Sequence, residues 1–200
     1  MIKAIIFDLG NVIVPFDFKR AYARIEPLTT YSAAEIPARL RASDLVHRFE
    51  TGRVEPERFV EELAAQLELK MTYSEFCDVW SCIFLPGTLV PEALLASLAQ
   101  RYSLLLLSNT NPIHFEMVEA NYPELRHFHH RVLSYEAGVR KPSAKIYHEA
   151  IWRAGCAAGE CFFTDDILIN VEAARREGMD AVQFESAAQL EAELGSRGIL

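Results

Sequence analysis

Ile2-Lys3-Ala4-Ile5-Ile6-Phe7-Asp8 constrains the fold more than any other stretch of this chain: an apolar run that closes on a carboxylate. A run of this kind reads as a strand buried on both faces of a parallel sheet. Leu9-Gly10-Asn11-Val12-Ile13 then turns the backbone away. Open α/β sheets gather their chemistry at the carboxyl ends of strands, which is where Asp8 stands. Taken alone, Asp8 is better explained as a cap for the turn behind it. The segments farther down the chain change that balance.

Strand and helix alternate from residue 91 onward. Helical spacing covers Ala93 to Arg101, Ile113 to Ala120, Ser143 to Ala154, Ile169 to Glu177 and Ala187 to Leu194. Between these lie four strand-like runs: Ser103 to Leu107, Arg131 to Leu133, Cys161 to Thr164 and Ala181 to Phe184. Alternation of this kind predicts a Rossmann-like, doubly wound parallel sheet with helices on both faces. Residues 16–84 hold no good strand. Apolar residues there recur at helical spacing over Ala34 to Leu40, Asp44 to Glu50, Glu57 to Leu67 and Ser74 to Phe84. Pro56 and the run Thr72-Tyr73-Ser74-Glu75 read as helix starts, and Gly52 as a helix end. The division predicted is a core of residues 1–15 and 85–200, with a helical cap of 16–84 inserted after the first strand.

At 200 residues the chain has room for one such core plus its insertion, and half of its residues are hydrophobic. A net charge of −8 argues against broad attraction to nucleic acid or to an anionic membrane. No apolar run approaches the ~20 residues of a membrane span. Lys3 leads into a strand and not into a leader's apolar core, so no secretory signal is expected. Cys77, Cys82, Cys156 and Cys161 lack zinc-site spacing and are expected as reduced thiols in a cytoplasmic protein.

Four segments follow four core strands: Asp8; Ser108-Asn109-Thr110; Lys141 within Gly138-Val139-Arg140-Lys141-Pro142; and Asp165-Asp166, with Asn170 beyond. Each has a bland account, as a turn, a helix cap or a solvated charge. In this order and in matching strand-end contexts they fit phosphoryl transfer. A carboxylate can attack phosphorus, and paired carboxylates build a hard oxygen site for Mg²⁺. The lysine neutralises the transferring group, while a hydroxyl and backbone amides hold its remaining oxygens.

With these residues in place, the chain resembles the haloacid dehalogenase (HAD) superfamily over nearly its whole length. Asp8, Ser108, Lys141 and Asp165-Asp166 match its four motifs in order. The resemblance implies Asp8 as nucleophile and Lys141 as its catalytic partner. It implies Ser108, Asn109, Lys141 and Asn11 as phosphate ligands, with Mg²⁺ held by Asp8, the Gly10 carbonyl, Asp165 and Asp166. Phe7 to Ile13, Leu107 to Asn111, Arg140-Lys141-Pro142 and Phe162 to Asp166 look most like the α-D-glucose-1-phosphate phosphatase branch. So does the cap stretch Phe49-Glu50-Thr51-Gly52-Arg53-Val54 with Glu57-Arg58-Phe59. The expected activity is that of a Mg-dependent phosphatase for a small phosphorylated metabolite, a sugar phosphate, with an anomeric phosphate the finer expectation.

Three departures stand out. Gly10 replaces the Asp that most phosphatases of the superfamily use as general acid and base, Asn11 replaces a glycine, and Val12 a hydroxyl residue. Either the leaving group needs little protonation, or another donor serves, with Asp17, His47 and His114 as candidates. The superfamily's dehalogenases share the Gly10 departure but need no metal, and Asp165-Asp166 weighs against them. A binding protein without activity would have no use for nucleophile, lysine and acidic pair together. The cap is expected to close over substrate and set specificity, with Phe16, Phe18, Arg48 and Phe49 the nearest candidates to face it.

Overall fold

Five short strands carry the core: β1 (Ala4–Phe7), β2 (Ser103–Ser108), β3 (His130–Leu133), β4 (Cys161–Asp165) and β5 (Asp180–Gln183). The computed structural model describes residues 1–200, and in it these strands form one parallel sheet in the order β3-β2-β1-β4-β5. β1 lies at the centre, in register Phe7 with Leu106 on one side and with Thr164 on the other. All four of its residues are fully buried. Strand alternation splits them between the two faces. Ile5 and Phe7 join Leu104, Leu106 and Phe162 on one face. Ala4 and Ile6 join Leu105, Leu107 and Phe163 on the other.

Five cap helices come between β1 and β2: α1 (Phe18–Ile25), α2 (Ile36–Arg41), α3 (Leu45–Glu50), α4 (Pro56–Gln66) and α5 (Tyr73–Ser81). Six more flank the sheet: α6 (Glu92–Ala99), α7 (Pro112–Asn121), α8 (Ser134–Ala137), α9 (Ala144–Ala154), α10 (Leu168–Arg176) and α11 (Ala187–Ser196). Leu95 of α6, Phe115 of α7 and Leu190 of α11 cover one face of the sheet. Ile146 of α9 and Val171 of α10 cover the other. The parallel, two-sided architecture is the one the sequence predicts.

The cap has its own apolar centre, with Phe49, Phe59, Phe76 and Trp80 buried together. α5 starts on a full capping box between Thr72 and Glu75, and α4 on Pro56, as their sequences predict. The spacing over Ser74 to Phe84 implied a longer α5. The helix stops at Ser81 because Phe84 pairs with Phe16 in an isolated antiparallel bridge. Leu85 N also donates to the Pro15 carbonyl, so the two cap linkers are tied together. α1 and α8 were not among the expected helices.

Gly52 fixes where the cap meets the core. Its φ of +66° suits glycine, and a Cβ there would run into the Tyr135 backbone carbonyl of α8. Gly52→Ala therefore combines conformational strain with a backbone clash and is expected to cost roughly 1–3 kcal/mol. Urea unfolding of the variant checks this.

Candidate active site

Asp8 leaves the end of β1 and Asp165 ends β4, its neighbour on one side; Ser108 ends β2 on the other. Successive strands run outward on one side of β1 and then resume on the opposite side, so this edge is the topological switch point of the sheet. Lys141 reaches the crevice from the loop after α8. Its Nζ stands 2.8 Å from Asp8 Oδ1 and 2.6 Å from Asp165 Oδ2. All three side chains are buried. Asp8 Oδ1 also accepts from Leu9 N at 2.7 Å. Asp165 accepts from Ile167 N at 2.8 Å and from Asn170 Nδ2 at 3.1 Å on both oxygens.

Burial and the nearby Asp165 push the Asp8 carboxyl well above its ordinary value, against the pull of Lys141. Burial works against charge on Lys141 too, but Asp8 and Asp165 outweigh it and hold the ammonium protonated. Burial, with Asp165 beside it, also raises Asp166. Oxygens of Asp8, Asp165 and Asp166 lie within 4.8 Å of one another. Three carboxylates facing one ammonium leave a surplus of negative charge on an all-oxygen donor set. The donor set and its charge fit a hard divalent cation.

Two predicted phosphate ligands are engaged elsewhere. The Asn109 amide donates to the Lys141 carbonyl at 3.0 Å and accepts from Lys141 N at 2.8 Å, so it clamps the lysine's main chain. Asn11, at a φ of +53°, accepts from Phe16 N at 3.2 Å, and its side chain favours the charged form of Asp166 against the effect of burial. Both side chains position the charged groups. Ser108 lies on the cavity wall.

A narrow cavity of ≈ 60 Å³ opens beside the cluster between core and cap, with Gly10, Ser108 and Asn109 on its core side. Phe16, Phe18, Glu50 and His114 complete its wall. Phe16 and Phe18 thus face the site as expected, whereas Phe49 stacks on Phe59 inside the cap. Arg48 turns to Asp44 and Glu62, away from the cavity.

The Phe16 ring explains the glycine at position 10. A Cβ on Gly10 would stand 2.5 Å from Phe16 Cε1, so the ring occupies the space a side chain would need. The candidate donors inferred from sequence do not fill the gap. Asp17 is exposed and caps α1 by accepting from Lys19 N. His47 is exposed as well. His114 is buried on the cavity wall with both ring nitrogens used: one faces Asn111 Nδ2 at 3.1 Å and the other the Trp80 carbonyl at 3.0 Å. Nε2–H therefore donates to Trp80, Nδ1 accepts from Asn111, and the neutral ring ties α7 to α5.

Burial lowers the His114 pKa from 6.5 to about 4. Its unfolded form therefore binds a proton first as pH falls. The His114 contribution to stability is full above pH 6.5 and is lost between 6.5 and about 4, by roughly 3 kcal/mol. Denaturant unfolding of wild type and His114→Gln across that window should show a flatter pH slope in the variant.

Buried carboxylates paired to a lysine at the switch point of a doubly wound sheet, beneath a helical insertion, define an α/β enzyme for displacement at an anionic substrate. Residues 2–178 match the model of the haloacid dehalogenase-like hydrolases. The chain belongs to that family, and it is a hydrolase with the helical cap that its sequence predicts. It is 28% identical to a D-ribitol-5-phosphate phosphatase from Bacteroides thetaiotaomicron, with 97% of each chain covered. A sesquiterpene phosphatase from Aspergillus oryzae is 26% identical, over 88% of this chain and 87% of the relative. The crystal structure of a HAD-family enzyme from B. thetaiotaomicron, in complex with magnesium and inorganic phosphate, is similar at a TM-score of 0.83 and 25% identity. That match covers 93% of this chain and 96% of the other. No helix here is long and apolar enough to cross a membrane.

Proposed function

We propose that this protein is a Mg²⁺-dependent phosphatase acting on a small phosphorylated sugar or polyol through an aspartyl-phosphate on Asp8. The observation that carries the reading is the cluster itself: Asp8, Asp165 and Asp166 within 4.8 Å, with Lys141 between the first two. The likeness to a polyol-phosphate phosphatase and to a structure holding magnesium and phosphate supports the same chemistry.

In this reading Asp8, Asp165, Asp166 and the Gly10 carbonyl hold the metal, which offsets repulsion between the anionic nucleophile and the phosphate. Lys141 adds a fixed positive charge, and the Ser108 hydroxyl binds a phosphate oxygen. Asn109 keeps Lys141 in place through its main chain. Asp8 attacks phosphorus and expels the alcohol, and water then releases phosphate. The cap closes the cavity, with Phe16 and Phe18 against the substrate.

Gly10 supports a finer reading, in which the substrate is an anomeric sugar phosphate such as α-D-glucose 1-phosphate, whose leaving group needs less protonation. Initial rates on glucose 1-phosphate, glucose 6-phosphate, ribitol 5-phosphate and p-nitrophenyl phosphate, with and without Mg²⁺, test both levels. Metal-dependent release of phosphate supports the phosphatase, and preference for glucose 1-phosphate supports the finer reading. No release from any ester, or chloride release from 2-chloropropionate without metal, would sink it.

A further inference from the structure

Gly10 leaves the reaction without a proton donor on the nucleophile's own segment, and the Phe16 ring stands where a side chain there would go. One carboxyl on the cavity wall has no part in the chemistry so far. Glu50 ends α3, and it lines the same cavity as Gly10 and Ser108 from the cap side. Its Oε2 is 2.6 Å from Arg140 Nη1, in the residue preceding Lys141, yet the approach lacks hydrogen-bond geometry and leaves that buried oxygen without a bonded partner. Asp17, His47 and His114 are each exposed or fully bonded, so Glu50 is the titratable carboxyl left on the cavity wall.

We propose that Glu50, carried by the cap, is the general acid and base that position 10 does not supply. The proposal rests on the phosphatase reading above. In the first half-reaction an Asp8 oxygen bonds to phosphorus as the bond to the leaving oxygen breaks, and the Glu50 proton goes to that oxygen. In the second, a water oxygen bonds to phosphorus, the bond to Asp8 breaks, and the proton from water returns to Glu50. Each half-reaction leaves Glu50 ready for the other.

The surroundings suit the task. Burial raises the Glu50 pKa and Arg140 restrains the rise, the direction a general acid needs. α3 packs on α2, α4 and α8, which bring Arg39 and Arg41, Glu57 with the paired Arg58, Glu61 and Glu62, and Tyr135 and Glu136; His114 of α7 shares the cavity wall. Burial pushes the Tyr135 phenol up to about 12 and holds His114 neutral, so neither competes as a donor near neutral pH. On its own helix, His47 is exposed and Arg48 is paired to Asp44 and Glu62. The ion contact also joins cap to core, so the acid reaches the substrate when the cap is seated.

Two esters separate this role from a structural one. An alkyl phosphate needs protonation of its leaving oxygen, whereas p-nitrophenolate leaves without it. In Glu50→Gln, kcat on the alkyl phosphate should fall about 10²–10⁴-fold. The stopped-flow burst of p-nitrophenolate should keep its wild-type rate within a few-fold, followed by a slowed steady state. Glu50→Asp, which keeps a carboxyl, should recover part of the loss. A burst slowed as much as the alkyl-phosphate reaction would overturn the proposal, as would an unchanged kcat with a raised KM. Wild-type protein that hydrolyses neither ester would instead overturn the phosphatase reading itself.

Discussion

Asp8→Asn is expected to lower kcat by roughly 10⁴-fold or more while leaving the fold and the phosphate-binding groups in place. The amide matches the carboxyl in shape but cannot attack phosphorus. It also removes one of three crowded carboxylates, the one that burial and Asp165 already push toward its protonated form. The variant should therefore be at least as stable as wild type in the absence of metal. Activity lost together with stability would show that Asp8 serves the fold more than the reaction. Steady-state kinetics paired with thermal unfolding read both quantities from the same preparations.

Lys141→Met has the opposite signature. Lys141 is 2% exposed, and its ammonium stands within 2.8 Å of both Asp8 and Asp165. Removing it strands two buried carboxylates without their counter-charge, a change that typically costs about 3–5 kcal/mol. The carboxylates will respond by binding protons, so the deficit should shrink as pH is lowered. Mg²⁺ should also restore part of the stability, because the cation supplies charge at the same oxygens. The loss of transition-state stabilisation is expected to be about 10²–10³-fold in kcat even with the metal bound. Urea unfolding with and without Mg²⁺, followed by turnover under saturating metal, measures each part.

Much of this molecule is legible because its strands announce themselves. The run from Ala4 to Phe7 has no polar position, so its burial on two faces follows from composition alone. The alternation from residue 91 onward then leaves few topologies besides the one found. α1 was harder to see. Phe18, Ala21, Tyr22 and Ile25 do recur at helical spacing, but the helix is only eight residues long and only Ala21 and Ile25 are fully buried. α8 has four residues, fewer than any periodicity can reveal.

Within the site, residue type and order identify Asp8, Lys141, Asp165 and Asp166, which the fold brings together. What each asparagine does was not readable from spacing. Asn109 bonds the main chain of Lys141, 32 positions away, and only the packed loops make those groups neighbours. Glu50 was visible only as part of a cap motif. Its place on the cavity wall depends on how α3 meets α8, and the exclusion of a side chain at position 10 depends on where the Phe16 ring lies. Those are tertiary facts with no local sequence signature.

The central claim is that Asp8 accepts the phosphoryl group, and acid quenching tests it most directly. Wild-type protein is mixed with substrate and Mg²⁺, quenched within one turnover, and digested for peptide mass mapping. The account predicts a phosphoryl adduct on the peptide carrying Asp8, formed only with Mg²⁺ and absent in Asp8→Asn. Multiple turnovers of phosphate release by wild-type protein, with no adduct on that peptide at any quench time and Asp8→Asn still active, would contradict it.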